Sequence, residues 1–212
     1  MLDKFIEIFQ GLDIAYGEYF LEGSRDNKTG KEKGRAITKR APVTKELFQK
    51  HLNGEINLGV IPIRRDNTCY WGCIDVDKYD LDHKTLIKKI RDRDYPLVPY
   101  RSKSGGIHLF LHVLTPTPAE LMIEKLSLLA TDLGLSSCEI FPKQRQIMVY
   151  KNDLGNWLNI PYQQAARSTR YAMYDSGMGV PITQWYDWIQ NFRLTPERFN
   201  ELKVYDNDIA EK

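Results

Sequence analysis

The sequence predicts an α+β protein built around a β-α-β-β-α-β unit, with a shorter αβ module before it. Three observations carry this prediction. Apolar stretches typical of buried strands alternate with stretches of helical periodicity, glycine and proline separate them, and over residues 69–141 they follow one another in that order. The predicted division is an N-terminal αβ module over residues 1–68, the β-α-β-β-α-β module over 69–180, and C-terminal helices over 181–212.

The N-terminal module is predicted to contain two helices and two strands. Apolar residues at helical spacing place the first helix at residues 2–9, and Thr44 is a suitable N-cap for the second, which runs to His51. Strands are predicted at residues 16–21 and 58–63.

A basic segment, residues 22–50, lies between those two strands. Its glycine- and lysine-rich first part is predicted to be a loop, in which Lys33 and Arg35 are candidates for contacts with a phosphate backbone, a template strand or a triphosphate. The net charge of the whole chain is only +2, so the overall charge does not identify a partner.

The second module has clearly marked elements. The predicted bounds are a strand at 69–77, a helix at 82–93, a strand at 96–101, a turn at 102–106, a strand at 107–113, a helix to about 133 and a strand at 137–141. Thr117-Pro118-Ala119-Glu120 combines an N-cap, a proline at the first helical position and a capping-box glutamate, so it should open the second helix. This is the order of an RRM-like module, whose usual strand order 4-1-3-2 places the first strand between the fourth and the third.

The remainder of the chain is predicted to be mainly supporting structure. A strand is expected around 147–150, an amphipathic helix around Trp185 to Phe192, and a further helix opened by Thr195-Pro196. The charged end of the chain is interpreted as a linker or as the truncation point of a longer parent protein.

Two aspartates at the end of the first strand of this module are the centre of the predicted site. Side chains alternate across a strand, so Asp75 and Asp77 point to one face while Ile74 and Val76 point to the other, apolar face. Adjacent carboxylates repel each other unless a cation lies between them, and oxygen ligands of this kind are those that Mg²⁺ takes beside substrate phosphates.

The predicted strand order brings further polar residues to the same face. On the third strand, the alternation leaves His108, Phe110 and His112 on a face that should be open, while Glu139 of the fourth strand points the same way. Glu139, the two aspartates and His108 should therefore lie side by side on three neighbouring strands. His112, farther along its strand, is expected to be an ordinary surface histidine.

The turn between the second and third strands supplies groups that suit phosphate. Ser102-Lys103-Ser104-Gly105-Gly106 is not a Walker A loop, but its hydroxyls, backbone N–H groups and ammonium can hold phosphate oxygens, and His108 follows it. Three carboxylates on adjacent strands can bind two divalent ions for in-line phosphoryl transfer.

Cysteine content and hydropathy bear on location. Three cysteines in strand-like sequence indicate buried thiols in a reducing compartment rather than a disulfide framework. The sequence has neither an apolar run of the ~18 residues that a membrane span needs nor the pattern of a signal peptide, so a cytoplasmic protein without membrane association is expected.

These motifs resemble those of the archaeo-eukaryotic primase superfamily over roughly residues 15–165. The Ile74-Asp75-Val76-Asp77 string is similar to its DxD motif, Ser104-Gly105-Gly106-Ile107-His108 to its SxH-like element, and Glu139 to its third acidic residue. Three longer strings look closest to bacterial and phage primase-polymerases, which include the CRISPR-associated and TOTE-system enzymes: 101–106, 139–144 and 155–162.

The resemblance implies a primase catalytic core and a nucleotidyltransferase that synthesises nucleic acid from (d)NTPs on a single-stranded DNA template. It implies that Asp75, Asp77 and Glu139 bind two Mg²⁺ or Mn²⁺ ions. The residues that it implies for binding the nucleotide are Arg101, Lys103, Ser104, Gly105, Gly106, His108, Asn156 and Asn159. It implies that Lys143 and Gln144 contact phosphate or the template. CRISPR adaptation or replication proteins are expected partners through a longer parent chain.

Two other functions are considered. An HUH endonuclease is also RRM-like and binds a metal through a His-x-His motif, but His108 and His112 are separated by three residues and the two aspartates would have no role. A single-stranded nucleic-acid-binding module without catalysis would stack bases on aromatic residues of the open sheet face, where this sequence places mainly acids.

Overall fold

The computed structural model describes residues 1–25, 32–77 and 82–204, which form two antiparallel four-stranded sheets and six α-helices. The helices are α1 Leu2–Phe9, α2 Lys45–Asn53, α3 His83–Asp92, α4 Ala119–Asp132, α5 Ile182–Ile189 and α6 Pro196–Glu201. The strands are β1 Tyr16–Arg25, β2 Glu32–Lys39, β3 Leu58–Val60, β4 Thr68–Val76, β5 Val98–Arg101, β6 Ile107–Pro118, β7 Glu139–Phe141 and β8 Leu158–Asn159. The predicted α+β class is confirmed.

The first sheet has the strand order β2-β1-β3-β8. It corrects one prediction, because the glycine- and lysine-rich segment expected to be a loop forms strand β2. The backbone of β2 pairs with β1 from Tyr16↔Lys39 to Leu21↔Gly34, so its peptide groups are hydrogen-bonded although its residues have low strand propensity. Strand β8, which comes much later in the chain, completes the sheet beside β3.

The second sheet has the strand order β5-β6-β4-β7, which is the predicted order 4-1-3-2. Ile74 and Val76 of the central strand β4 are fully buried on the face that α3 and α4 cover, where they belong to the same cluster as Leu86, Ile87 and Met122. The alternation in the sequence therefore assigned the apolar face correctly.

The opposite face of this sheet is largely covered, which corrects the prediction that it is open. Trp71, Phe110 and His112 are buried there in a second hydrophobic cluster with residues of α1 and α5. Phe9 of α1 stacks on Trp185 of α5, with ring centroids 5.6 Å apart and planes 5° apart. At the end of β4, the Asp75 side chain lies outside this cluster and is partly exposed.

Two local details also differ from prediction, and a third is confirmed. Thr117 does not cap α4: it pairs with Cys69 in the β4–β6 ladder, strand β6 continues to Pro118, and Pro118 is the N-cap residue. The strand predicted at 147–150 is instead a 3-10 turn over Val149–Lys151. The predicted cap at Thr195 is confirmed, since its side chain accepts a hydrogen bond from Arg198 N.

The cysteines are free thiols, as predicted. Cys69 and Cys73 are buried and Cys138 is half-buried. Burial raises the pKa of the Cys69 thiol to about 12, so this thiol is unreactive in the folded protein. In the part of the chain that the structure describes, no helix combines the length and the apolar character needed to cross a bilayer.

His112 is buried rather than a surface residue, with 1% of its surface exposed. Its ring stacks on Phe110 at a centroid distance of 5.5 Å, and neither ring nitrogen has a hydrogen-bond partner among the described residues. Burial, and secondarily the charge of Arg193, lowers the pKa of His112 to about 3. Burial likewise lowers the pKa of His51 to about 3.

We expect these two histidines to make the protein less stable as the pH falls. Below the ordinary histidine pKa of about 6.5, these histidines bind protons in the unfolded chain but stay neutral in the folded chain. Each therefore lowers the free energy of unfolding by roughly 1.4 kcal/mol per pH unit. His112→Phe should leave the unfolding free energy at neutral pH unchanged or higher, because it removes an unsatisfied buried polar group, and should halve the loss between about pH 6.5 and pH 5. Urea unfolding at several pH values measures this, and an unchanged pH dependence in the variant would contradict it.

Candidate active site

The acidic end of β4 lies between two strands that each present a polar residue to it. Asp75 is directly opposite His108 on β6 and directly opposite Glu139 on β7, so the three side chains form a row across the sheet. The His108 Nε2 atom lies 3.2 Å from Asp75 Oδ1, and 23% of the Asp75 side chain is exposed. The structure thus brings together the residues that alternation and strand order had placed side by side.

The turn after β5 folds onto the end of β4. It is closed by hydrogen bonds from Ser102 N to Gly106 O (2.9 Å) and from Gly105 N to Ser102 O (3.2 Å). A Cβ atom at Gly106 would lie 2.6 Å from Val76 O, so only glycine allows this approach. As a result, the Ser104 hydroxyl lies 3.5 Å from Asp77 Oδ1.

Two residues that the sequence did not single out contact this turn. The Nε2 atom of His83, the first residue of α3, donates to Gly105 O at 2.9 Å. The Lys103 ammonium lies 5.0 Å from the ring centroid of Tyr19 on β1, so the first sheet reaches the turn of the second. Neither contact has a local sequence signal, since each joins elements that are distant in the chain.

On the other side of the row, Glu139 leads to the segment that follows β7. Its Oε1 atom is 2.9 Å from the Lys143 ammonium. The neighbouring Gln144 forms two hydrogen bonds with Asn156, one of them from Asn156 N to Gln144 Oε1 at 3.1 Å. Asn159 lies on β8 opposite Gly59, and its side-chain oxygen is buried without a hydrogen-bond partner among the described atoms.

The structure separates some of the predicted residues from this group. Arg35 is opposite Phe20 in the β1–β2 ladder, and it therefore points to the face of the first sheet opposite Tyr19. The side chain of Lys33 lies outside the described part of the structure. Arg101, at the end of β5, donates from Nη1 to Thr169 O at 2.9 Å.

The three carboxylates near this row have different partners: Asp75 contacts His108, Asp77 contacts Ser104, and Glu139 contacts Lys143. Within residues 1–25, 32–77 and 82–204, no group of three or more histidine, cysteine or acidic side chains converges as a ready metal site. The donor set nevertheless suits a hard divalent cation, because it consists of carboxylate oxygens on neighbouring backbone positions. The Glu139 side chain is 61% exposed and pairs with the Lys143 ammonium.

Acidic residues on β4 and on the edge strand β7, beside a serine- and glycine-rich turn and a histidine, form the arrangement whose motifs resemble those of primases. The chain belongs to this class: residues 14–200 match the family model "TOTE conflict system, Archaeo-Eukaryotic Primase domain", and the protein is a member of that family. The resemblance inferred from the motifs is thereby confirmed, and family membership supports a primase-type nucleotidyl transfer in broad terms.

Solved structures with a distant likeness are also of primases. The primase-polymerase domain of cyanophage S-2L is 12% identical, with a TM-score of 0.43 over 82% of this chain and 88% of that one. The catalytic domain of primase RepB′, in complex with initiator DNA, is 10% identical, with a TM-score of 0.39 over 90% of both chains. No curated protein matches the sequence. Family membership stands on the family model alone.

Proposed function

We propose that the protein is a DNA-directed primase-polymerase that transfers nucleotidyl groups from (d)NTPs on a single-stranded DNA template. The observation that carries this proposal is the row of Glu139, Asp75 and His108 across three strands, with the turn hydroxyl of Ser104 beside Asp77, in a chain of the primase family. Binding to CRISPR adaptation or replication proteins stays a prediction.

In the proposed reaction, a 3′-hydroxyl of the strand or of an initiating nucleotide gives its proton to solvent, and its oxygen forms a bond to the α-phosphorus. The bond from that phosphorus to the bridging oxygen breaks, and pyrophosphate leaves. Ser104, Lys103 and the turn N–H groups other than those of Ser102 and Gly105, which close the turn, hold the triphosphate by hydrogen bonds and charge. This fixes the α-phosphorus relative to the acidic row. His108 is held by Asp75, so its ring is oriented before the nucleotide binds.

We propose that Asp75, Asp77 and Glu139 hold two Mg²⁺ or Mn²⁺ ions. Such ions, when bound, activate the attacking hydroxyl and neutralise charge on the leaving pyrophosphate. The three carboxylates also keep the site negative in the absence of cations, so a triphosphate should bind poorly without them.

The covered sheet face argues against the two other functions. A binding module would stack bases on the aromatic residues of this face, but Trp71 and Phe110 are buried beneath α1 and α5. An HUH site would need His112 at the metal, and that side chain is 1% exposed within an aromatic cluster. Neither function gives a role to the paired aspartates.

A primer-free synthesis assay tests the proposal. We expect short new strands when the protein is incubated with single-stranded DNA, labelled nucleotides and Mg²⁺ or Mn²⁺, with no primer present. Comparison of ribonucleotides with deoxyribonucleotides gives the sugar preference. Extension of a primer without synthesis in its absence would refute priming and leave a polymerase. No incorporation under either condition would refute the proposed function.

A further inference from the structure

Trp157 lies flat on the first sheet, where two glycines make room for it. A Cβ atom at Gly17 would be 1.9 Å from Trp157 Cδ2, and one at Gly59 would be 2.2 Å from Trp157 Cε3. The indole Nε1 donates to Thr38 Oγ1 at 3.0 Å, and the side chain remains partly exposed. The sheet thus fixes the orientation of one aromatic plane near the surface.

A second aromatic side chain, that of Tyr150, is almost fully exposed to solvent. Tyr150 is 83% exposed, and it lies in the 3-10 turn that follows the segment from Glu139 to Gln144. Its hydroxyl lies 3.5 Å from Met148 Sδ, and the Lys151 ammonium is 5.8 Å from its ring centroid. A tyrosine this exposed contributes little to the hydrophobic core, so packing does not explain it.

A chain of contacts connects these two rings to each other. Arg40 follows the end of β2, two residues after Thr38, and both of its terminal nitrogens donate to Asn152, at 3.1 Å to the side-chain oxygen and 3.0 Å to the carbonyl. The turn that carries Tyr150 is therefore anchored to the same strand whose Thr38 holds Trp157.

The same segment is connected to the acidic row. Glu139 contacts Lys143, and the next residue, Gln144, is hydrogen-bonded to Asn156, the neighbour of Trp157. A path of contacts thus leads from Glu139 past Trp157 to Tyr150.

Charge along this path favours an anionic chain. Arg40, Lys143 and Lys151 are exposed along it. Asp153, in the same segment, accepts a hydrogen bond from Met148 N at 3.4 Å. Alternating aromatic and basic side chains match a single strand of nucleic acid, in which bases present π-faces and phosphates present charge.

We propose that Trp157 and Tyr150 are stacking sites for bases of the single-stranded template, with phosphate contacts from Arg40, Lys143 and Lys151. This inference rests on the proposed function for the identity of the strand as a template. The binding can be measured apart from catalysis, because Trp157 and Tyr150 are not among the residues proposed to bind the metal ions or the triphosphate.

The test is equilibrium binding of a fluorescently labelled oligothymidylate, measured by anisotropy in EDTA and without nucleotides. Loss of one stacked base should weaken binding of Tyr150→Ala roughly 5- to 100-fold. Lys151→Ala should lower the slope of log affinity against log salt concentration by about 0.7. Phe20→Ala is the matched aromatic control, since Phe20 is 40% exposed on the opposite face of the first sheet and should leave affinity unchanged.

Trp157 packs on the sheet, so Trp157→Leu is used only after circular dichroism shows that this variant is folded. Tyr150→Ala removes an exposed side chain, so its effect on binding does not depend on a change in folding. The proposal would be overturned if Tyr150→Ala bound the oligonucleotide with unchanged affinity, or if Phe20→Ala weakened oligonucleotide binding equally. It would also be overturned if Tyr150→Ala weakened only the binding of a free nucleotide. If Asp75→Asn binds the oligonucleotide normally and Tyr150→Ala does not, the stacking path stands even where the synthesis assay fails.

Discussion

Replacing Asp75 by asparagine should lower the rate of nucleotide incorporation by about a thousandfold or more. Asp75 is the middle residue of the acidic row, opposite both His108 and Glu139, and asparagine keeps its size while removing its charge. We expect weakened cation binding at a phosphoryl-transfer site to remove about 4 kcal/mol of transition-state stabilisation. This loss corresponds to a rate about a thousandfold lower.

This loss should occur without loss of the fold. The Asp75 side chain is partly exposed and contacts the ring of His108, so the unfolding free energy should change by less than about 1 kcal/mol. Asp187→Asn, at a side chain 83% exposed on α5, is the matched control and should synthesise like the unmodified protein. Single-turnover incorporation together with urea unfolding separates the two effects. An Asp75→Asn variant of normal activity would remove Asp75 from the catalytic machinery.

Trp185→Ala should destabilise the protein by about 3–5 kcal/mol, the usual cost of truncating a large buried aromatic residue. Trp185 is 1% exposed, it stacks on Phe9, and its Nε1 donates to the Tyr100 hydroxyl at 2.9 Å. It therefore joins α5 to both α1 and the second sheet. Removing it leaves a cavity between three elements and a buried hydroxyl without its donor.

Trp188, on the same helix, provides the comparison. It is only half-buried and contacts Tyr174 and Phe192, so Trp188→Ala should cost clearly less. Chemical unfolding followed by circular dichroism measures both variants. Equal losses of unfolding free energy in Trp185→Ala and Trp188→Ala would show that the buried face of α5 does not contribute more to stability than its half-buried face.

The row of Asp75, His108 and Glu139 was predictable because two local rules determine it. Alternation assigns each side chain to a face, and the β-α-β-β-α-β order assigns neighbours to each strand. The observed pairing of Asp75 with both other residues follows directly. The roles proposed for these residues remain predictions.

What covers the other face of that sheet was not predictable by the same rules. The sequence of β4 is apolar on both sides, with Trp71 and Cys73 alternating with Ile74 and Val76, and such a strand is typical of burial on both faces. The identity of the covering helices depends on contacts between distant parts of the chain, such as that between Phe9 and Trp185. These contacts have no local signal.

The first helix and the later part of the chain complete each other's packing, and this has a consequence for biosynthesis. Glu7 of α1 accepts hydrogen bonds from Arg193 Nη1 at 2.6 Å and from the Tyr186 hydroxyl at 2.9 Å. Between the end of α1 and the start of α5 lie 172 residues. While these are translated, Phe5 and Phe9 lack their contacts with Trp185, although Phe48 and Trp71 supply part of their surroundings earlier. A chain released before Trp185 would therefore leave one part of the apolar surface of α1 uncovered, and that part would be open to chaperones or to other chains.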